Sequence, residues 1–104
     1  MHFECTSEQR GDVVVVTPFG EIDRDTAPRL REVLDDAAGR AGAGRIEVDL
    51  RHVTFLDSSG IGALLYGHRL AERSGATFIA HGASPMVRTV MEITNVWTLL
   101  TDQS

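Results

Sequence analysis

The chain has 104 residues, with 10 arginines and no lysine against 15 acidic residues, for a formal net charge of −5. Its 42% hydrophobic and 24% charged content is that of an ordinary soluble chain, and its length gives one small domain, residues 1–104, with a modest core. The arginines are scattered, so the even negative field excludes nucleic acid and acidic membranes as partners and favours a basic protein surface. Cys5 is the single cysteine, which excludes an internal disulfide and any cysteine-rich metal site. With no signal peptide and no apolar run of bilayer length, the expectation is a cytoplasmic protein.

In chain order, residues 2–5 pair as a first strand, and residues 8–12 supply a turn. Residues 12–19 (DVVVVTPF) form a β-branched central strand ending at Gly20. Its apolar run at 13–16 needs cover on both sides or a mate in another chain, so the chain is expected as a monomer or weak dimer. A helix follows from Thr26, with Pro28 in its first turn and Leu30, Val33, Leu34, Ala37 and Ala38 on one face. Gly39, Gly42 and Gly44 end it. Residues 45–50 (RIEVDL) alternate as a strand, and 53–56 lead onward from it. Ile61, Leu64, Leu65, His68 and Ala71 line a second helix that runs out at Ser74 and Gly75. Residues 76–80 (ATFIA) are a strand, Ser84 and Pro85 open a third helix, and 96–100 (VWTLL) read as a last strand. The order β-β-α-β-α-β-α-β implies an α/β fold, a small mixed, mostly parallel sheet of four to five strands with an N-terminal hairpin.

The stretch VTFLDSSGIGALL, residues 53–65, places two serines between a strand and a helix. That is the C-terminal edge of the sheet, where ligands and modifications gather in α/β folds. Asp57 suits the N-cap, with Leu56 and Ile61 at the staple positions. Ser58 then stands in the first turn with its hydroxyl free to face water, and Gly60 and Gly62 leave the turn bare for an approaching molecule. From spacing alone, a capping or solvated serine is the plainer reading. A nucleophile elbow requires a glycine two residues before the serine, and neither Ser58 nor Ser59 has one. Of the candidate bases His2, His52, His68 and His81, His68 falls on the apolar face of the second helix, His52 lies just before the motif, and His81 has no orienting carboxylate in sequence. No nucleotide-binding fingerprint or histidine ligand spacing is present, so neither a cofactor nor a metal is expected.

A second cluster, GEIDRDT at 20–26, carries Glu21, Asp23 and Asp25. Asp25 or Thr26 can cap the first helix, which leaves Asp23 over. If both strand-to-helix connections start on the same edge, Asp23 and Asp57 lie near Ser58. A phosphate there would repel those acids, an effect that the first-turn backbone donors partly offset.

FLDSSGIGALL at 55–65 resembles the phosphorylation motif of bacterial anti-sigma factor antagonists, small members of the STAS family. GEIDRDTAP at 20–28 is similar to that family's other hallmark, at the expected distance upstream. The resemblance runs to about Leu100. It implies a non-enzymatic switch. The unphosphorylated form binds an anti-sigma factor that is also a serine kinase, and so frees a sigma factor. Phosphorylation of Ser58 dissolves the complex, and a metal-dependent serine phosphatase restores it. ATP and metal belong to those partners. Carried over to this chain, Ser58 is the acceptor, and Glu21, Asp23, Arg24, Asp57, Ser59, Gly60 and Ile61 fall in the partner-binding surface. Relatives continue into a last helix, so a domain lacking that helix or cut short before it is expected. The family also holds scaffold modules of multiprotein sensing complexes, the alternative reading.

Overall fold

A computed structural model describes residues 3–40 and 42–101. Nine elements follow in order: β1 (Glu4–Arg10), β2 (Val13–Ile22), α1 (Ala27–Ala38), β3 (Arg45–Asp49), β4 (Val53–Leu56), α2 (Ser58–Arg73), β5 (Thr77–His81), α3 (Pro85–Ile93) and α4 (Trp97–Thr101). The sheet runs β1-β2-β3-β5, with β4 paired to β2. Only β1 is antiparallel to its neighbour; the β2–β3, β2–β4 and β3–β5 pairs are parallel. This is the mixed, mostly parallel α/β sheet that the patterning implies.

The hairpin is tighter than its sequence suggests. β1 extends to Arg10, which pairs with Val13, so Gly11 and Asp12 alone make the turn. Gly11 sits at φ +63°, a conformation that glycine adopts without a Cβ penalty and that closes a two-residue loop. The expected turn at 8–12 is therefore strand over its first half. His2 of the expected first strand lies outside the described residues.

β2 does not stop at Gly20 but runs on to Ile22, because it has two successive parallel partners. Val13–Val16 pair with β3, and Gly20–Ile22 pair with β4 beyond an irregularity in register at Gly20 and Glu21. Residues 53–56, read as an onward path from the preceding strand, are thus a strand in their own right. The corner between β3 and β4 is closed by Asp49. Its carboxylate, 8% exposed, accepts from the Arg51 backbone N–H at 3.0 Å and pairs with the guanidinium at 2.8 Å.

One face of the sheet makes the core. Val14, Val16, Ile46, Val48 and Ala80 are fully buried with Leu30, Leu34 and Leu64 from the helices. The alternate residues of the same strands, Val13, Val15, Arg45, Glu47 and Ile79, are only half-buried. Of the two alternatives for the valine run, cover on both sides within the chain is corrected. The helices pack on one face, and the fold has two layers. α2 lies close on that layer: a Cβ on Gly67 would stand 2.8 Å from Phe78 and 2.9 Å from Leu34. Tyr66 of α2 donates from its hydroxyl to Asp35 of α1 at 2.6 Å, fastening the two helices at their outer rim.

The expected last strand, residues 96–100, is overturned: Val96 precedes a helix, and residues 97–100 lie in α4. Val96 and Leu100 are buried at i and i+4 spacing, which fits one helical face against the core as well as a strand edge. Asn95 at φ +62° ends the preceding turn, and the Val96 N–H closes onto the Met91 carbonyl at 2.9 Å. The chain is thereby turned straight into another helix over β5.

Candidate functional site

The site grows from the register of β2 and β4. Ile22 stands opposite Leu56, so the residues that leave the two strand ends, Asp23 and Asp57, emerge side by side at the C-terminal edge. The Asp57 N–H donates to the Ile22 carbonyl at 3.3 Å, extending the ladder to the last residue before α2. The supposition that both connections start on one edge holds.

Asp57 caps α2. Its backbone is extended, and its Oδ1 accepts from the Ser59 N–H at 2.8 Å and the Gly60 N–H at 3.2 Å. These are two of the donors that a helix start leaves without partners. Leu56 and Ile61, at the staple positions, are both buried. Ser58 follows the cap, is exposed, and sits at the first helical position. Among the described residues no hydrogen bond engages its hydroxyl.

Gly60 corrects the sequence reading of a bare first turn. A Cβ there would stand 2.3 Å from Leu56 Cδ1 and 3.0 Å from both Ile22 Cγ2 and the Ile22 carbonyl oxygen. The absent side chain lets α2 press onto the ends of β2 and β4, not onto a visiting molecule. Gly60 and Ile61 are buried, so they position the helix start without presenting surface. Ser59 is half-buried beside them.

Asp23 corrects the other expectation. It is not left over from capping; it is the cap. Its Oδ1 accepts from the Asp25 N–H at 2.9 Å and the Thr26 N–H at 3.1 Å. Thr26 Oγ1 accepts in return from the Asp23 N–H at 2.9 Å, a reciprocal box one turn before α1. The Thr26 hydroxyl donates to the Glu21 carbonyl at 2.7 Å, and the Ala27 N–H reaches the Asp23 carbonyl at 2.8 Å. Thr26 makes no side-chain cap of its own to α1. Asp25 and Arg24 are exposed, and Glu21 and Asp23 are half-buried.

Among the described residues no histidine bonds to the Ser58 hydroxyl; His2 lies outside them. His52 stacks on Phe19 with ring centroids 4.7 Å apart, His68 lies edge-on to Phe78, and His81 is 3.6 Å from Glu47. Among the described residues no group of three or more histidine, cysteine or acidic side chains could hold a metal. No described helix is long and apolar enough to cross a membrane.

Two features escaped the sequence. Phe55, opposite Glu21 and three residues before Ser58, is 41% exposed although period-2 alternation would not set it outside alongside Thr54. Asp49 is buried, and the Arg51 guanidinium beside it holds its carboxyl below the usual carboxylate range. Only the DxR spacing at the end of a strand could have signalled that clamp.

Comparison with known proteins places this geometry. The family described as "Mlab, STAS domain" matches residues 5–101. An anti-sigma F factor antagonist of Paenibacillus polymyxa is 25% identical over 100 residues, covering 96% of this chain and 86% of that protein. The structure of the anti-sigma factor antagonist SpoIIAA in its unphosphorylated form is similar at a TM-score of 0.81 and 25% identity, over 97% of this chain and 89% of its own. The Bacillus cell fate determinant SpoIIAA in its phosphorylated form has the same fold at a TM-score of 0.73 and 24% identity, over 97% and 91% of the two chains.

Proposed function

The chain belongs to the STAS domain family, whose members are regulatory modules and not catalysts, and we propose that it is an anti-sigma factor antagonist switched by phosphorylation of Ser58. The observation that carries this reading is the exposed, unbonded Ser58 hydroxyl fixed directly after the Asp57 cap. Its relatives by sequence are antagonists of anti-sigma factors F and B. In this reading the unphosphorylated protein binds an anti-sigma factor with serine kinase activity in the cytoplasm. Ser58, Asp57 and the Glu21–Arg24 turn form the docking edge.

The kinase transfers the γ-phosphoryl of its ATP to Ser58 Oγ. The new O–P bond forms as the β–γ bridge breaks, ADP leaves, and the serine proton passes to a base of the kinase. The product carries about −1.5 to −2 charge at that position. Asp57 already holds the Ser59 and Gly60 N–H groups, so these two first-turn donors do not supply the offset expected from the sequence, and the phosphate projects toward the partner. Asp23 and Asp57 add their own repulsion. Release then follows from charge at the interface, without refolding of this chain. A metal-dependent serine phosphatase reverses the step.

The test incubates the protein with its cognate anti-sigma kinase and ATP, then maps phosphate by mass spectrometry. Wild type should gain one phosphate at Ser58, and S58A none. In a pull-down, wild type and S58A should retain the kinase, and S58E should lose it. Retention of other STAS proteins by wild type and S58E alike would replace this reading with that of a scaffold module.

A further inference from the structure

The sheet face turned away from the helices carries a pattern independent of the serine edge. Its cross-strand rows are Arg10–Val13–Arg45–Thr77 and, two residues along, Glu8–Val15–Glu47–Ile79. The first row holds two arginines around a valine, and the second holds two glutamates around a valine. Within the chain, Arg10 pairs with Glu8 at 2.7 Å and Arg45 with Glu47 at 3.0 Å. Arg45 Nε is buried, yet no acceptor is aligned on it for a hydrogen bond.

We propose that this face is the interface of a weak homodimer, its occupant being a second copy of the chain. A two-fold axis lying across the strands at the level of Val14 superposes the basic row of one copy on the acidic row of the other. Arg10 then faces the second copy's Glu8, Arg45 its Glu47 and Val13 its Val15, and every contact is reciprocal, as a two-fold interface requires. The half-buried valines and Ile79 supply the apolar strip between the charged positions. The two sheets pack about 10 Å apart, within reach of arginine and glutamate side chains. Strand spacing and rise give the face a footprint of roughly 400 Å². That is below the roughly 800 Å² per partner of a stable interface, so association is weak. The charged rows set the register of the pairing more than its strength.

Sedimentation equilibrium of the full chain up to about 1 mM tests the proposal, since a weak dimer assembles in that range. Wild type should shift toward a dimer as concentration rises. R45E sets two glutamates against each other, E47R sets two arginines, and each should weaken dimerisation at least tenfold. The double swap R45E/E47R restores opposite charges across the axis and should recover it. The same three variants at the more exposed Arg10 and Glu8 serve where a β3 variant fails to fold, judged by circular dichroism. A wild type that stays monomeric throughout, or a dimer indifferent to single reversals, would overturn the proposal. So would single losses that the double swap does not rescue.

Discussion

The two strand-to-helix junctions at the C-terminal edge use one chemistry for different ends. At both, a buried aliphatic residue closes a parallel strand and an aspartate follows it to collect two backbone N–H groups. After Asp57 the helix begins at once, and Gly60 lets it press against Ile22 and Leu56. After Asp23 the chain makes a self-contained turn to Thr26 before α1 starts, leaving Arg24 and Asp25 exposed. One junction fixes a hydroxyl in space. Beside it, the other offers a charged rim whose own shape is closed by hydrogen bonds. The same cap can therefore serve precision or display, depending on how closely the next turn packs.

The largest effect should come from removing that close packing. Gly60→Ala places a methyl group 3.0 Å from the Ile22 carbonyl oxygen, which is backbone and cannot swing aside. Overpacking of this kind costs about 1–3 kcal/mol, so G60A should lower the urea midpoint clearly. Gly62→Ala is the control two residues on. Its Cβ would meet only the tip of Arg31 at 3.4 Å, and alanine improves helix propensity by up to about 1 kcal/mol. If G60A and G62A denature alike, the helix start is not held as described.

Next come the caps. Asp57→Ala and Asp23→Ala each strip two backbone donors of their acceptor, at a cost of about 0.5–2 kcal/mol. D57A should cost more, because the N–H groups it releases belong to α2 itself, and D23A only loosens a turn ahead of α1. Both should fold, and both should weaken kinase binding in a titration followed by calorimetry. Global unfolding of D23A would make Asp23 purely structural.

A third strand end sharpens the contrast with acid. Asp49 closes β3 onto Arg51, and the hydrogen bond from that guanidinium, ahead of the opposing desolvation, holds its carboxyl below the ordinary value of 3.8. A carboxyl lowered in the folded state stabilises above its unfolded pKa, and that stability fades as pH falls through the folded value. Wild type should therefore lose stability below about pH 4 partly through this clamp. Asp49→Asn should be less stable at neutral pH and should show a shallower loss on acidification, read from thermal melts across pH 2–7.

How much of this the sequence disclosed depends on whether the signal was local. Asp57 as a cap, the staple of Leu56 and Ile61, and the helix from Ser58 were legible because each rests on neighbours along the chain. Asp23 was misassigned because Asp23, Asp25 and Thr26 are all capping types, and only the geometry of the turn decides among them. Residues 96–100 pointed to a strand because β-branched and aromatic content outweighed the i, i+4 spacing of Val96 and Leu100. The second role of β2, pairing with β4 beyond β3, and the exposure of Phe55 depend on partners distant in sequence, and no periodicity encodes them. Resemblance to the family pointed to Ser58, and patterning alone would have left it a helix-start serine.

The smallest expected change concerns Ser58 itself, and it decides how the binding tests are read. A carboxylate at the first position of α2 lies at the positive end of the helix, where acids stabilise by about 0.3–1 kcal/mol. Asp57 stands beside it, and repulsion between the two offsets part of that gain. Ser58→Glu should thus leave the melting temperature within about 2 °C of wild type, and Ser58→Ala should do the same, since no hydrogen bond holds the hydroxyl. With stability unmoved, loss of the kinase by S58E reports charge at the docking edge and nothing else. A fall of 5 °C or more in S58E would instead show that the first turn of α2 cannot carry the charge, and release by phosphorylation would have to act through the fold.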